Sequence, residues 1–469
     1  MLVLWLVLIL SLIMLSYSTS VRTGVSITGN RASKVRARYF AKAGIERTIC
    51  ELTQVQDFYY SESSGFYNDP ARFANQVLGD GTFSLLTKKR DDLGNVIYGI
   101  TDEAGRLNVN TATEDQLLSF PEMTTEMAES LLDWVDTDSD TRADGAEDDY
   151  YQMLDDPYYC KNGPVQDPSE LSMVKGWTPV EVFGEDANEN GRLDPNEDDG
   201  DVSPPLDDGD GELDEGLAKF FTIYSHDKEI NPNGEARLDL NAATAEELQQ
   251  IEGMTQSQAQ SIVAWRNQKR FSSLADLLDV TVAQQDTSSG KGGPSGLRKS
   301  SQKTSSLRTS KASSSGGRDS SMKTSSGGSG SSSGSGGQSG QTQNAFTYDQ
   351  VVPLVDWVCV GTPDKRNRIN INVAPLEVLL TLPGMTESLA DEILTRRESS
   401  QGAFTQRSEL RDVNGMTQET FRGMIDDVTV QSYQFRIVSE GRDGETKTTI
   451  EAVVDLASDP PKILYWHES

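Results

Sequence analysis

The hydrophobic pattern of the chain begins with an uncharged apolar stretch, Leu2–Ser20. As a helix, this stretch is about 28 Å long, close to the hydrocarbon thickness of a bilayer. Apolar residues then recur at helical spacing among polar ones as far as Leu52. The pattern therefore predicts one helix over residues 1–54, which crosses a membrane first and packs on a folded domain afterwards.

Two later regions alternate between apolar and polar residues, as half-buried strands do. Gly81–Asn110 predicts a hairpin with its turn at DDLGN, and Tyr433–Ala457 predicts two strands around GRDGE. Mostly helical and loop patterns lie between these regions. We therefore expect an α+β fold: residues 55–110 and 431–469 form one antiparallel sheet domain, and a mainly α-helical insert occupies 111–430.

The insert contains three internal repeats. Asn110, Asn241 and Asn372 follow one another at intervals of 131 residues. Each precedes a helix-like run, then FPEMT, IEGMT or LPGMT, then a second helix-like run. This pattern predicts helix-hairpin-helix-like repeats near 107–135, 238–280 and 369–413. Residues 287–345 are rich in Ser and Gly and predict a disordered linker.

Charge and cysteine content narrow the range of functions. The formal net charge is −31, and the segment from Asp133 to Glu215 holds 27 Asp or Glu against 4 Lys or Arg. Such a balance argues against nucleic acid and favours cations, with an acidic calcium region at 133–216. Cys50, Cys160 and Cys359 lack CxxC spacing, which excludes a zinc ribbon and leaves at most one disulfide.

The segment DANENGRLDPNE, residues 186–197, has the pattern of an EF-hand calcium loop. That loop needs oxygen ligands at positions 1, 3, 5, 9 and 12, a backbone carbonyl at 7 and a glycine at 6. The alternative is a solvated acidic loop. The predicted Ca²⁺ ligands are Asp186, Asn188, Asn190, Asp194 and Glu197, with Arg192 supplying the carbonyl.

A looser version of this pattern, DTDSDTRADGAED, covers residues 136–148. Thr141 stands where the loop needs glycine, so the spacing alone leaves calcium and a solvated charge run equally open. The possible ligands of this second calcium site are Asp136, Asp138, Asp140, Asp144, Glu147 and Asp148.

Several motifs together resemble one family. They are the apolar first helix, ITDEAGRLNVN at 100–110, LLDWVDTDSDTRADGAEDDYY at 131–151, DPSELSMVKGWTP at 167–179 and the C-terminal hairpin. In these the chain resembles protein K of the type II (general) secretion pathway, a minor pseudopilin. The resemblance implies a pilin-like α/β domain with a helical domain inserted, and calcium bound in the helical domain, which favours a metal at 136–148.

The resemblance also implies a location and partners. The protein would sit at the tip of the pseudopilus with minor pseudopilins of the I and J types. It would be anchored in the bacterial inner membrane by a single helix, with the bulk of the chain in the periplasm. It would support protein export rather than catalysis. No Ser-His-Asp set or nucleotide-binding loop points to an enzyme.

The hairpin repeats raise a second possible function, the binding of DNA. Hairpins that grip a DNA phosphate usually carry two glycines, but Thr124, Thr255 and Thr386 take the place of the second one here. We therefore expect the paired helices to pack as small cores without binding nucleic acid. The alternative is a membrane-anchored helix-hairpin-helix protein for DNA binding or uptake.

Overall fold

The computed structural model describes residues 2–55, 65–88, 90, 94–186, 188, 191, 193–200, 202–282, 343–361, 368–399 and 402–469. The first helix, α1, is Leu2–Thr53. Its residues are exposed from 3 to 32, and burial at helical spacing begins at Ala37. Among the described residues, α1 is the one helix long and apolar enough to cross a membrane. This division matches the predicted membrane segment and packed segment.

The remaining elements are short outside the C-terminal strands. The other helices are α2 Pro70–Phe73, α3 Glu114–Leu117, α4 Thr125–Val135, α5 Asp148–Tyr151, α6 Pro179–Phe183, α7 Ala245–Leu248, α8 Gln256–Arg266, α9 Tyr348–Val351, α10 Leu376–Leu379, α11 Glu387–Glu398 and α12 Gln418–Met424. The strands are β1 Gln76–Leu78, β2 Gly81–Leu86, β3 Thr101–Asp102, β4 Leu107–Asn108, β5 Phe221–Thr222, β6 Leu238–Asp239, β7 Val358–Cys359, β8 Ile369–Asn370, β9 Val428–Thr429, β10 Gln434–Asp443, β11 Thr446–Asp455 and β12 Lys462–Glu468.

An antiparallel sheet packs against the second half of α1. Its strand order is β1-β2-β10-β11-β12, and β3 also pairs with β10. Helix and sheet approach so closely that a Cβ at Gly441 would lie 2.0 Å from Ala37 O. Where α1 leaves the sheet, an ion pair of 2.7 Å joins Arg36 to Asp443. The predicted sheet domain is present, with β12 as an additional strand.

The predicted hairpin over 81–110 is present only in part. After β2, Thr87 N donates to Ile97 O at 2.9 Å, and Arg90 pairs with Val96. Three residues of the DDLGN turn, 91–93, lie outside the described residues. The next strand, β3, does not continue this hairpin but pairs with β10, more than 300 residues later in the chain.

The insert consists of three modules of similar construction. Module 1 is 107–222, module 2 is 238–359 and module 3 is 369–429. Each begins with a two-residue strand, and a second two-residue strand closes the module by pairing with the first in parallel: β4 with β5, β6 with β7, β8 with β9. The insert therefore starts at Leu107, earlier than the predicted boundary at 111, and each module extends beyond the predicted repeat.

The regularly spaced asparagines make the same contacts in all three modules. The Asn241 side chain accepts from Phe271 N at 2.9 Å and donates to Phe271 O at 3.0 Å. Asn372 does the same with Phe404, at 2.7 and 3.0 Å. Asn110 does so with Val165. Each asparagine therefore fastens the first helix pair of its module to the segment that follows.

Modules 2 and 3 exchange equivalent caps. Asp356, near the end of module 2, accepts from Arg407 N in module 3 at 2.9 Å. Asp426, near the end of module 3, accepts from Leu274 N in module 2 at 3.1 Å. Each aspartate satisfies the first N–H of a 3₁₀ helix in the other module. The two modules are therefore joined by a reciprocal, nearly symmetric contact.

The predicted disordered linker falls within module 2. Residues 283–342 lie outside the described residues, so the prediction for 287–342 is not tested. Its last three residues, 343–345, are described and are not disordered. Ala345 N donates to Val280 O at 2.7 Å, and Val282 N donates to Gln343 O at 2.9 Å.

Candidate functional site

The predicted calcium loop lies in an acidic segment of module 1, residues 184–215, whose two ends are adjacent in the fold. We call this segment the acidic excursion. Gly184 and Glu215 pair as an antiparallel bridge. The buried Glu185 carboxylate accepts from Asp208 N at 3.1 Å and from Asp214 N at 3.2 Å. Glu185, which was not among the predicted ligands, therefore holds the base of the excursion together.

Four of the six predicted ligands of this loop are described. Asp186 and Glu197 are buried, and Asp186 Oδ2 accepts from Gly191 N at 2.8 Å. Asn188 Nδ2 lies 2.9 Å from Asp194 Oδ2 and 3.5 Å from Glu197 Oε1. Loop positions 3, 9 and 12 thus converge. The other two predicted ligands, Asn190 and Arg192, lie outside the described residues.

These contacts fit an oxygen-ligated cation. The buried carboxylates of Asp186 and Glu197 each accept a backbone N–H, from Gly191 and from Asp194 at 2.9 Å, and a carboxylate has further lone-pair sites that suit a cation. The oxygen and nitrogen of an Asn amide exchange places on rotation, so Asn188 can offer its oxygen to a metal. In the described part of the chain no three Asp, Glu, His or Cys side chains form a ready metal cluster. A calcium ion here would therefore also need amide and carbonyl oxygens, as in an EF-hand.

The loop rests on the sheet domain through its glycine. Gly191 has a φ of +65°, and a Cβ there would lie 2.0 Å from Lys88 O. Arg90 Nε donates to Gly191 O at 3.1 Å. Only glycine allows both this backbone conformation and this approach. The turn that an EF-hand requires is therefore also the contact between the acidic excursion and the chain segment that follows β2.

In the second acidic segment, residues 136–148, the predicted ligands do not all face inward as the ligands of an EF-hand loop do. Asp138, Asp140 and Asp144 are exposed, whereas Asp136, Glu147 and Asp148 lie further in. A fourth inner carboxylate, the fully buried Asp133, was missed. It lies in α4, one helical turn before Asp136, the residue that follows the end of this helix, and that three-residue spacing is the signal that could have revealed it.

Arg142 supplies positive charge to these inner carboxylates, and Glu147 is the most deeply buried of them after Asp133. Arg142 Nη1 pairs with Asp133 Oδ1 and, at 2.7 Å, with Asp136 Oδ2. Glu147 is 4% exposed and lies beside the thiol of Cys160; among the described residues, its carboxylate oxygens and Asp136 Oδ1 have no N–H or hydroxyl donor.

Burial raises the pKa of Glu147, and the negative charges of Asp133 and Asp136 act in the same direction. A cation bound among these carboxylates would satisfy the three oxygens that have no N–H or hydroxyl donor. In the described residues these carboxylates do not converge as a ready metal cluster, so a hard cation such as calcium would have to draw Asp136, Glu147 and Asp148 together.

The hairpin arginines are engaged inside their own modules. Arg266 Nη1 donates to Leu240 O at 3.2 Å, and the equivalent Arg397 donates to Ala374 O at 2.8 Å. Arg396 pairs with Glu409 and lies over a phenylalanine ring. These side chains support the strand-to-helix turns of their modules and are not arranged as an open phosphate site.

Comparison with known proteins gives matches in the same regions. Residues 105–182 match the family model described as type II secretion system (T2SS), protein K. This region is therefore similar to protein K of the type II secretion system. It contains the start of module 1, the carboxylates of α4 and the 136–148 segment, so the resemblance predicted from these residues is confirmed.

The helix-hairpin-helix motif model matches 234–287 and 364–429, which lie in modules 2 and 3. The prediction of hairpin repeats is thereby confirmed for these modules, which follow the protein K-like region along the chain. Module 1 has the same helix–hairpin–helix order in α3 and α4.

A solved structure, the GspK–GspI–GspJ complex from the type 2 secretion system of enterotoxigenic Escherichia coli, is also similar. The similarity covers 96% of this chain and 99% of that chain, at 12% identity and a TM-score of 0.42. The comparison with curated proteins gives no match.

Proposed function

We propose that this protein is the K-type minor pseudopilin at the tip of a type II secretion pseudopilus and supports protein export across the outer membrane. The observation that carries the proposal is the protein K-like region at 105–182, set between a pilin-like sheet and two helix-hairpin-helix modules. A long helix that is exposed along its first half and packed along its second half suits a subunit of a helical filament.

The tip position follows from the size and place of the insert. The modules occupy 107–429, whereas the sheet domain that carries them supplies only five main strands and half of α1. A filament repeats one contact along its axis, so every inner subunit must accept another above it. Three modules on one sheet would obstruct that stacking, and the end of the filament is the position where they do not.

The membrane location rests on α1. The helix is long and apolar enough to span a bilayer, and its apolar part makes no contact with the folded domain. In this proposal the chain crosses the inner membrane once and its sheet and modules lie in the periplasm. The first acidic residue of the helix is Glu46, so the exposed part offers no carboxylate to a neighbouring subunit's amine.

Calcium is the cofactor that the two acidic sites suit. Asp186, Asn188, Asp194 and Glu197 would hold one ion, and Asp133, Asp136, Glu147 and Asp148 a second. Bound calcium would neutralise buried carboxylates and so stabilise module 1. The role is structural, and we assign no catalytic residue.

The test is assembly with the other minor pseudopilins. The full chain in detergent should co-purify with I- and J-type minor pseudopilins from the same genome as a discrete complex of fixed mass. Arg36→Ala/Arg38→Ala, which removes two ion pairs between α1 and the sheet, is a useful comparison, because it alters the helix–sheet contact and leaves the modules intact. Homogeneous filaments of this chain alone, or no association with either partner, would refute the tip assignment.

A further inference from the structure

A cavity of about 220 Å³ lies where the sheet domain, module 1 and module 3 meet. Arg436 of β10, Phe183 and Phe220 of module 1 and Pro375 of module 3 contribute to its wall. Binding sites are frequent at such junctions, but pockets for drug-sized molecules are larger, roughly 300 Å³ and above. This cavity has room for one side chain or a small acid.

The wall has an apolar side and a basic side. The apolar side consists mainly of aromatic and aliphatic groups from α6, the 3₁₀ helix at 217–220 and β5. The basic side carries Lys88, Arg106, Lys219 and Arg436. Four cations around one small cavity are notable in a chain with a net charge of −31.

Two of the four cations are already neutralised by close carboxylates. Arg436 Nε lies 2.6 Å from Glu103 Oε1, and Arg436 Nη1 pairs with Glu451. Lys88 Nζ lies 3.2 Å from the other oxygen of Glu451. Glu103 also accepts on its second oxygen from the hydroxyl of Thr222, at 2.5 Å.

Arg106 and Lys219, in contrast, have no carboxylate at close ion-pair distance among the described residues. Arg106 has only a distant ion pair, 3.9 Å to Glu103, and its guanidinium makes no hydrogen bond among the described residues. Its side chain is 22% exposed, so the fork of N–H donors is largely shielded from water. Lys219 is likewise 3.9 Å from its partner, Glu215.

We propose that this cavity binds a carboxylate that carries an apolar group. Arg106 donates to the two carboxylate oxygens, Lys219 adds a second positive charge, and the rings of Phe183 and Phe220 contact the apolar part. A guanidinium matches the planar carboxylate with two parallel hydrogen bonds. Glu215 also lines the cavity, and its negative charge favours a monoanion over a phosphate dianion.

Two sources can supply this chemistry. One is the C-terminal residue of a polypeptide with an apolar side chain, and the other is a free aryl or alkyl carboxylic acid. Both place one carboxylate next to one apolar group, and the cavity volume limits either to about the size of a single residue. The peptide source predicts dependence on a free C-terminus, which a direct comparison can measure.

The experiment uses the full chain in nanodiscs. A fluorescein-labelled hexapeptide ending in Phe with a free carboxylate is titrated by anisotropy, beside the same peptide with an amidated C-terminus. Unlabelled 3-phenylpropionate is the competitor. We expect saturable binding of the free-acid peptide, binding at least about tenfold weaker for the amide, and competition by 3-phenylpropionate.

The variants locate the site. Arg106→Gln should weaken binding at least about tenfold, and Arg106→Lys, which keeps the charge but loses the fork, should weaken it nearly as much. Arg411→Gln, an exposed arginine of module 3, is the matched control and should bind as the unmodified protein does.

Each outcome bears on the proposal. Direct binding of 3-phenylpropionate, measured by calorimetry, without peptide binding identifies the free acid as the source and supports the site. Equal binding of acid and amide, or full binding by Arg106→Gln, overturns it, as does the absence of binding by both probes. If Arg106→Gln does not fold, the comparison of acid and amide on the unmodified protein still decides.

Discussion

Arg436 donates from Nε to Glu103 Oε1 at 2.6 Å, and this contact joins β10 of the sheet to the segment that enters module 1. Burial alone would raise the pKa of Glu103, but the charges of Arg436 and Arg106 outweigh it and lower that pKa to about 2. Asp102, one residue earlier, accepts hydrogen bonds from neutral groups, and burial raises its pKa to about 7. The pKa values of two adjacent carboxyl groups at the sheet–insert junction are therefore shifted in opposite directions, upwards for Asp102 and downwards for Glu103.

The Glu103 contact predicts a loss of stability in acid. Its folded pKa is below its unfolded value, so its contribution is complete above about pH 4.5 and is lost as pH falls towards 2. The full contribution corresponds to about 3 kcal/mol. Thermal melts at pH 7 and pH 3 should show a smaller difference for Glu103→Gln than for the unmodified chain. The exposed Glu445→Gln should behave as the unmodified chain does, and equal pH dependence in all three would contradict the assignment.

Calcium should raise the melting temperature through two separable sites. An ion that binds the native state at a hundred times its Kd stabilises it by about 2.7 kcal/mol. Glu197→Gln should remove part of the difference between melts in calcium and in EGTA, and Glu147→Gln another part. Glu212→Gln, an exposed acid of the same region, should keep the full difference. Identical midpoints with calcium and with EGTA for the unmodified chain would exclude both sites.

Substitutions at two glycines of the acidic excursion can distinguish the free-energy cost of backbone strain from the cost of lost contact with the sheet. Gly191 and Gly200 have φ values of +65° and +67°, but only Gly191 faces another backbone, at Lys88 O. Gly200→Ala should cost about 1 kcal/mol for conformation alone. Gly191→Ala should cost about 2 kcal/mol more, because the loop must move away from the sheet, and should weaken calcium binding. Equal effects of the two substitutions on the melting temperature would show that the loop does not rest on Lys88.

Local patterns in the sequence were sufficient to predict much of this fold. The periodicity of α1 extends over fifty residues, and the repeat around Asn110, Asn241 and Asn372 is visible because each copy keeps the same local order. The structure explains that order, since each asparagine makes the same pair of hydrogen bonds. Helical periodicity and internal repeats depend on residues that are close in sequence, and they are therefore visible in the sequence itself.

Contacts between distant residues were not predictable in the same way. The strands that close the modules are two residues long, and Leu107 pairs with Phe221 across more than a hundred residues. No periodicity develops in two residues. The EF-hand spacing predicts ligands only from Asp136 onwards, whereas the packing of α4 also buries Asp133, which that loop spacing does not include.

The hairpins should not bind DNA at physiological salt, and the reason lies in where their cations are. Arg266 and Arg397 donate to carbonyl oxygens of their own modules, so using them on a phosphate would leave those turns unsupported. The exposed Lys269 and Arg270 remain, in a chain whose net charge repels a polyanion. Anisotropy titrations of the full chain with labelled duplex and single-stranded DNA should show no saturation at micromolar protein.

Arg266→Ala and Arg397→Ala should instead lower the melting temperature, since each removes donors to module carbonyls, while Lys269→Ala/Arg270→Ala should leave it nearly unchanged. Stability and DNA binding are thus separable in one set of variants. Micromolar binding that falls steeply with salt and disappears in Arg266→Ala/Lys269→Ala/Arg270→Ala would favour the DNA-uptake function over the pseudopilus tip. Unchanged melting in the two arginine variants would show that these side chains are free to meet a ligand.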